Sequence, residues 1–388
     1  MISSIGVIGG GQLGRMFALD AKRMGYEVIT LDPVPHSPSA QVSDEQIIAR
    51  YDDLDAIEEL GRKTDVVTYE FENIAIESVR HLEALGYAVS PSSAVLAITQ
   101  DRLLEKRFVR DCGIATTPFA SVEPNGDVAT AIDAVGLPAI IKTTRGGYDG
   151  KGQWYVSDVP AARAAKAAAN GAELICERFV SFERELSIIC TRSQDGAVVT
   201  YPLGENEHDA GILAMTLAPA RVSETVVEEA QRIARRIAEG LRIVGTFCVE
   251  FFLTAQGDLL VNEIAPRPHN SGHYTIDATP CSQYEQHVRA ICGLPLSSPH
   301  LFTSAIMVNI LGDGMGNHLQ GIEKLLRDPS IVLHLYGKKH AVARRKMGHF
   351  TMLVDGEITR QAVQHARAAR SLLSWSQADR TLGGAEQQ

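Results

Sequence analysis

The chain has little of what marks the special classes of protein. No apolar run in its 388 residues approaches the roughly 20 residues that a membrane-spanning helix needs. The N-terminus enters a strand-like run at once, without the charged and then apolar pattern of a secretory leader. A basic excess is also missing. Lys and Arg total 37 against 47 Asp and Glu, a formal charge of −10, which argues against a nucleic-acid surface. Phosphorylated small molecules stay open, because their sites rely on local charge and backbone amides. Cys112, Cys176, Cys190, Cys248, Cys281 and Cys292 show no C-x-x-C spacing, and several lie in apolar runs. Buried free thiols are therefore expected rather than disulfides or zinc ligands. What remains is an ordinary composition, 45% hydrophobic and 22% charged, in a chain long enough for two or three domains. A cytoplasmic enzyme with neither a membrane nor a nucleic-acid partner is the expectation.

The first part reads as alternating strands and helices. Ile5-Gly6-Val7-Ile8 runs into Gly9-Gly10-Gly11-Gln12-Leu13-Gly14, a helical stretch follows to about Met24, and Val28 to Leu31 forms a strand ending at Asp32. Asp65 to Tyr69 is a later parallel strand with Glu70-Phe71-Glu72-Asn73 at its carboxyl end, where open α/β sheets collect ligands. Ala88 to Pro91 closes this unit. From about 100 to 295 strands and helices mix in α+β fashion: strands at 137–142, 153–156, 173–180 and 185–190, an Ala-rich helix at 161–170, and a helix at 224–240. Gly293 to Pro299 reads as a linker. Beyond it come strands at 304–310, 331–336 and 351–354, a helix at 359–373 and a polar tail.

Two glycine-rich loops suggest phosphate. Gly9-x-Gly11-x-x-Gly14, with Asp32 at about the right distance, matches a dinucleotide fingerprint, and a nicotinamide-dependent reductase is one reading of it. The same bare amides also suit a lone phosphate, or merely a tight turn. The second loop, 146–152, holds four glycines with Lys151 between two strands, and by spacing is neither a Walker A nor a kinase loop. It can fold over a triphosphate, with Lys142 reaching in as a point charge. Its bland alternative is a surface hairpin. Glu177-Arg178-Phe179-Val180 has the look of a strand turning into a linker whose backbone could read an adenine edge, and Glu185 could take ribose hydroxyls.

The acidic hairpin says more. Strand-like 247–253 and 259–264 flank Gln256-Gly257, and a two-residue turn centred on that pair sets Glu250 opposite Glu263. Like charges facing across a sheet destabilise it. A divalent cation between them makes the pair reasonable, since hard cations take carboxylate oxygens. Arg267, His269 and His273 follow within a few residues, and a metal site beside anion-holding groups suggests phosphate chemistry. Strict alternation would turn Asn262 away from Glu263.

In chain order, Lys142, the glycine loop, Glu177-x-x-Val180, Glu185, Glu250 and Asn262-Glu263 resemble the ATP-grasp superfamily. Narrower runs are similar to the 5-(carboxyamino)imidazole ribonucleotide synthase family of purine biosynthesis: Gly9 to Met16, Tyr69 to Asn73, Gly147 to Gln153, Ala265 to His273 and Arg345-Lys346-Met347-Gly348-His349. The matches run from residue 5 to about 350. One departure stands out. Where the family carries Arg-Pro-Gly before Arg345, this chain has Val342-Ala343-Arg344. The basic residue has shifted to Arg344 or is absent, which bears on how the substrate's phosphate or carboxylate is gripped.

The resemblance implies three regions: a Rossmann-like pre-ATP-grasp domain at 1–98, an ATP-grasp clamp at 99–295 and a small mixed C-terminal domain at 296–388. It implies a homodimer that uses ATP, bicarbonate and aminoimidazole ribonucleotide, with one or two Mg²⁺ on Glu250, Glu263 and Asn262. For ATP it implies Arg102, Lys142, Gly147, Tyr148, Asp149, Gly150, Lys151, Gly152, Gln153, Glu177, Arg178, Phe179, Val180, Glu185, His208, Asn262 and Glu263. Without the resemblance, His208 reads as an exposed loop residue. Arg267, His269, Tyr148, Asp149 and Lys346 are the expected catalytic groups. Gln12, Leu13, Glu72, Asn73, Ser271, His273, Lys338, Arg345 and Lys346 are the expected ribonucleotide contacts. Carboxyphosphate hydrolyses readily, so the loop at 146–152 is expected to order over the site. Alternatives are another ATP-grasp ligase, such as formate-dependent glycinamide ribonucleotide transformylase or a biotin-dependent carboxylase subunit, the reductase, and a non-catalytic nucleotide sensor.

Overall fold

A computed structural model describes residues 2–146 and 152–376. The N-terminal region is a parallel sheet whose strands lie in the order Glu45–Ile47, Glu27–Leu31, Ser4–Ile8, Val66–Tyr69. Three of these strands, all but the edge strand Glu45–Ile47, are buried along nearly their whole length, as a sheet covered on both faces requires. The helix Gln12–Arg23 crosses over between the first two strands and buries Met16, Phe17, Ala18 and Ala21. Val89 adds a parallel bridge to Val67, closing the unit where expected.

A small four-stranded sheet follows, ordered Phe119–Val122, Leu174–Arg178, Ala139–Thr143, Gln153–Val156, and backed by the helices Val128–Val135 and Val159–Ala168. The largest sheet has nine strands. Its main path runs Leu259–Ala265, Gly245–Leu253, Arg184–Arg192, Gly204–Asp209, Ile212–Ala218, Ser304–Leu311, Lys346–Val354, Ile331–Leu335. The helix Glu224–Leu241 covers one face of it. Ala230, Ile233, Ala234, Ile237, Ala238 and Leu241 recur at helical spacing and pack on Leu186, Ile188, Phe247 and Val249. The C-terminal strands continue this same sheet, and the helix Arg360–Ser371 closes their core with Val363, Ala366 and Ala369.

Three features differ from the sequence reading. Gly204–Asp209 and Ile212–Ala218 are strands that the sequence did not announce. The strand expected at 351–354 begins already at Lys346. The hairpin loop is longer than two residues, with consequences given below. All six cysteines are free thiols, Cys176, Cys190, Cys248 and Cys281 among them buried. Among the described residues no helix is long and apolar enough to cross a membrane.

Candidate active site

A cavity of about 540 Å³ lies where the regions meet. Gln12, Leu13 and Glu72 reach it from the N-terminal sheet, Arg102 and Lys142 from the segment leading to the small sheet and from that sheet, and Lys346 from the C-terminal strands. The large sheet supplies Glu185, His208, Glu250, Asn262 and Glu263, and the segment after its strand Leu259–Ala265 adds Arg267 and His269.

The acidic pair forms by a route other than the expected turn. Leu253 pairs with Leu259 and Phe251 with Val261, a register that would carry Glu250 onto Asn262. A bulge intervenes between Glu250 and Phe251, so Glu250 pairs with Glu263 and Asn262 is the extra residue. The loop 254–258 is closed by Thr254 N–H donating to Asp258 O at 2.9 Å, with Gly257 at φ 87°. The bulge also explains why Asn262 and Glu263, although neighbours, both line the cavity. Burial, and then the Glu263 charge, hold the Glu250 carboxyl above the ordinary range. Two half-buried carboxylates with an amide oxygen beside them fit Mg²⁺, which takes hard oxygen ligands.

His269 faces this pair. Its Nε2 lies 3.2 Å from Glu250 Oε1. On the far side, the Ser271 amide points at Nδ1 from 3.4 Å and the Ser271 hydroxyl lies 2.8 Å from it. Ser187 donates to that hydroxyl at 2.8 Å. An amide can only donate, so Nδ1 accepts and the ring proton sits on Nε2, toward Glu250. Burial, then Arg267, keep the His269 ring well below its ordinary pKa, hence neutral. Arg267 itself grips Glu72 with Nε and Nη2, the latter at 3.0 Å. Against the cost of burial, Arg267 holds Glu72 ionised below the usual carboxylate range.

Deeper in, Lys142 Nζ lies 3.1 Å from Glu177 Oε2, and the fully buried Lys106 approaches the same oxygen at 3.6 Å. Thr117 donates to it at 3.0 Å. Glu185 binds His208 Nδ1 at 2.7 Å, so His208 is a half-buried strand residue and not an exposed loop histidine. Arg102 Nη1 donates to Thr143 O at 2.9 Å.

The first glycine loop has its donors answered from within. Gly11 and Gly14 amides donate to the two oxygens of Glu70, the latter at 2.7 Å. A Cβ on Gly11 would stand 2.5 Å from Glu70 Oε1, which is why glycine is needed there. Asp32 takes the Gly10 amide at 2.7 Å and the Tyr51 hydroxyl at 2.6 Å, so it is not presented to a ribose. Both findings count against the reductase. Gln12 instead accepts from Lys338 Nζ at 2.8 Å, and Lys338 also holds Lys346 O at 2.7 Å. Burial, then Arg345, push Lys338 down to about 7.

Several expected contacts lie elsewhere. Asn73 lines a neighbouring groove with Arg50, Tyr51 and Asp52. Ser271 and His273 are fully buried behind the wall, the latter with Nδ1 3.1 Å from the Tyr284 hydroxyl. Arg178 turns its guanidinium to Val135 O, and Phe179 packs edge-on against Tyr155 at the surface. Arg345 is exposed. Val180 does not line the cavity, whereas Gln153 does, next to Gly152, whose carbonyl accepts from Thr143. Gly147, Tyr148, Asp149, Gly150 and Lys151 fall outside the described residues. The sequence reading missed the stacked pair Phe182 and Phe252, centroids 4.7 Å apart and 9° from parallel. Both line the cavity. Phe252 was findable, since two-residue periodicity sets it on the same face as Glu250. Ser187, which sets the His269 proton, had no local signal.

Family comparisons agree with this architecture. The ribonucleotide synthetase preATP-grasp domain model matches residues 2–100, the ATP-grasp domain 107–284, and the phosphoribosylaminoimidazole carboxylase C-terminal domain 305–361. N5-carboxyaminoimidazole ribonucleotide synthase of Bacillus subtilis is 43% identical over 357 residues, covering 91% of this chain and 92% of that protein. Its Brucella melitensis counterpart is 44% identical over 353 residues, covering 90% and 96%. Among solved structures, an ADP complex of an N5-carboxyaminoimidazole ribonucleotide synthetase superposes with a TM-score of 0.89 at 44% identity, covering 95% of this chain and 96% of that one. The Aspergillus clavatus enzyme, in complex with ADP and 5-aminoimidazole ribonucleotide, also gives 0.89, at 31% identity and 96% and 98% coverage.

Proposed function

The chain belongs to the N5-carboxyaminoimidazole ribonucleotide synthase family of ATP-grasp ligases, and from that premise we propose how its own residues carry out the ATP-dependent carboxylation of aminoimidazole ribonucleotide. Bicarbonate is a poor electrophile and must be activated. One of its oxygens attacks the γ-phosphorus, the bond to the β-phosphate oxygen breaks, and ADP leaves. The resulting carboxyphosphate gives its carboxyl group to the exocyclic amine, which loses a proton as phosphate departs. Phosphoryl transfer of this kind is catalysed mainly by positioning and charge neutralisation.

The observation that carries the reading is one cavity wall holding an acidic pair, Lys142 and a neutral imidazole together. Glu250, Glu263 and Asn262 would hold one or two Mg²⁺, which when bound neutralises the triphosphate. Lys142, kept in place by Glu177, supports the transferring phosphoryl group, with Arg102 beside it. Phe182 and Phe252 offer an apolar wall, and Glu185 with His208 a polar one, suited to a nucleoside. Arg267, fixed by Glu72, and His269, fixed by Ser271, present a planar fork and an imidazole N–H to bicarbonate. Lys346, Lys338, Gln12 and Leu13 receive the ribonucleotide. Regions 1–98, 99–295 and 296–388, a homodimer and a cytoplasmic location belong to the same reading.

Phosphate release from ATP, with Mg²⁺ and bicarbonate, tests it. Release is expected to depend strongly on aminoimidazole ribonucleotide. If the ribonucleotide made no difference and another amine or acid did, the ATP clamp would stand and the substrate assignment would fall.

A further inference from the structure

Away from the cavity, a cross-strand pair of histidines has chemistry that the carboxylation does not use. His334 and His349 face one another in the register of Ile331–Leu335 and Lys346–Val354. Their rings stack with centroids 4.6 Å apart, 16° from parallel. Asp277, from the short helix Thr275–Ala278, closes the group, its two oxygens 3.1 and 3.0 Å from His334 Nε2. One oxygen of Asp277 and one ring nitrogen of each histidine lie within 4.8 Å of one another, the only such set among the described residues.

His349 is the telling member. It is fully buried, its Nδ1 lies 2.8 Å from the Tyr336 hydroxyl, and its Nε2 has no hydrogen-bond partner among the described residues. Neither tautomer repairs this. If Tyr336 donates to Nδ1, Nε2 carries a buried proton with no acceptor, at a cost of about 1–3 kcal/mol. If Nδ1 donates to Tyr336, Nε2 presents a bare lone pair. The second arrangement is that of a metal-ligating imidazole, whose other N–H is held by an oxygen. Burial, then His273 and His334, keep His349 neutral, the form that ligates.

We propose that Asp277, His334 and His349 form a binding site for a divalent transition-metal ion of the zinc type. Two imidazoles and one carboxylate suit such an ion and not Mg²⁺, which prefers oxygen ligands throughout. His334 keeps a quarter of its side chain exposed, which gives the ion a way in. The site ties the two strands that lead to Lys338 and Lys346 to the helix that follows the His269 segment. A bound ion would therefore brace the arm that carries both lysines, a structural rather than a chemical role.

The test is a titration of the full-length protein with Zn²⁺ against a chromophoric chelator, in excess Mg²⁺ to occupy the acidic pair. Co²⁺ is the spectroscopic probe. One equivalent is expected, with Co²⁺ absorption bands that mark nitrogen ligation. His334→Gln, at the partly exposed rim, and Asp277→Asn are each expected to weaken Zn²⁺ binding at least about a hundredfold, and Tyr336→Phe about tenfold. Glu250→Gln should leave this binding unchanged. Absence of a tight equivalent in the unmodified protein overturns the proposal without recourse to any variant. So does unchanged affinity in a folded His334→Gln protein, or loss of the equivalent in Glu250→Gln.

Discussion

The glycine loop at residues 9–14 and the acidic hairpin at residues 250–263 both concentrate charge-handling groups, yet they end in opposite conditions. In the loop each group is answered from inside the chain: Glu70 takes the Gly11 and Gly14 amides, and Asp32 takes Gly10. In the hairpin Glu250 and Glu263 face each other and the imidazole 3.2 Å from Glu250 is neutral, so His208 and Lys346 offset the pair only in part. The loop has the more recognisable spelling and the quieter electrostatics. A motif describes a backbone shape, whereas an imbalance left standing in a folded protein marks a place where something else is meant to bind.

The widest break in that contrast comes from Glu263→Gln. It removes a charge whose worth lies in the reacting complex, so kcat should fall roughly 10²–10³-fold. Stability should move the other way. Because the Glu250 pKa is raised in the folded protein, the folded state holds the proton longer than the unfolded chain. Metal-free stability therefore falls as pH rises from the ordinary carboxylate range through the raised value. Thermal melts across that window should show a negative slope that Glu263→Gln or added Mg²⁺ flattens. A slope unchanged in the variant would mean that burial alone raises the Glu250 carboxyl and the two carboxylates do not feel each other.

Glu70→Gln probes the other side. One amide oxygen replaces two carboxylate oxygens before two buried N–H donors, so unfolding free energy should drop by about 1–3 kcal/mol. The KM for ATP should hold. A loss of turnover as deep as that of Glu263→Gln would erase the distinction between the two places.

How much of this could be read beforehand follows the same division. The helix Glu224–Leu241 was legible because its buried residues repeat at helical spacing, and the short buried strands of the first sheet because they are continuously apolar. The strand Gly204–Asp209 was not. Its sequence is Gly-Glu-Asn-Glu-His-Asp, polar because His208 meets Glu185 at the cavity, Glu205 pairs with Arg184 and Arg221, and Asn206 accepts from Thr216, and polarity of that kind reads as loop. Glu250 and Glu263 were paired correctly through a turn of the wrong length, since a bulge at Asn262 restored the register. Nothing local announces a bulge. Glu72 was read as a ribonucleotide contact and Arg267 as a catalytic group. They lie 195 residues apart in the chain, and only the fold shows that they hold each other.

Lys338 sharpens the comparison from the cationic side, with an effect of about tenfold per pH unit at most. Burial and Arg345 bring it to about 7, so it is a cation below that pH and neutral above it. If it receives the ribonucleotide phosphate, the KM for ribonucleotide should rise as pH passes 7, while the KM for ATP stays level. Lys338→Arg, charged throughout, should flatten the profile. Stability has its own sign here. Between about 7 and the ordinary lysine value of 10.5 the unfolded chain binds more protons, so stability should increase with pH over that window.

The smallest expected effect falls at Arg344, where backbone ease and a charged side chain compete at one residue. It stands where the family triplet ends in glycine, and its φ of 65° lies in the left-handed region. For a residue with a Cβ that conformation costs roughly 1–2 kcal/mol. The guanidinium returns part of this by donating to Ala210 O at 2.8 Å, an exposed contact. Arg344→Gly relieves the backbone and gives up the contact, so the net gain should be no more than about 1 kcal/mol, seen as a higher urea midpoint at unchanged slope. A lower midpoint would mean that the anchor to the turn at 209–210 outweighs the strain. Arg344 would then be the basic residue of the triplet shifted by two positions and used for structure, and the ribonucleotide KM should stay the same in either case.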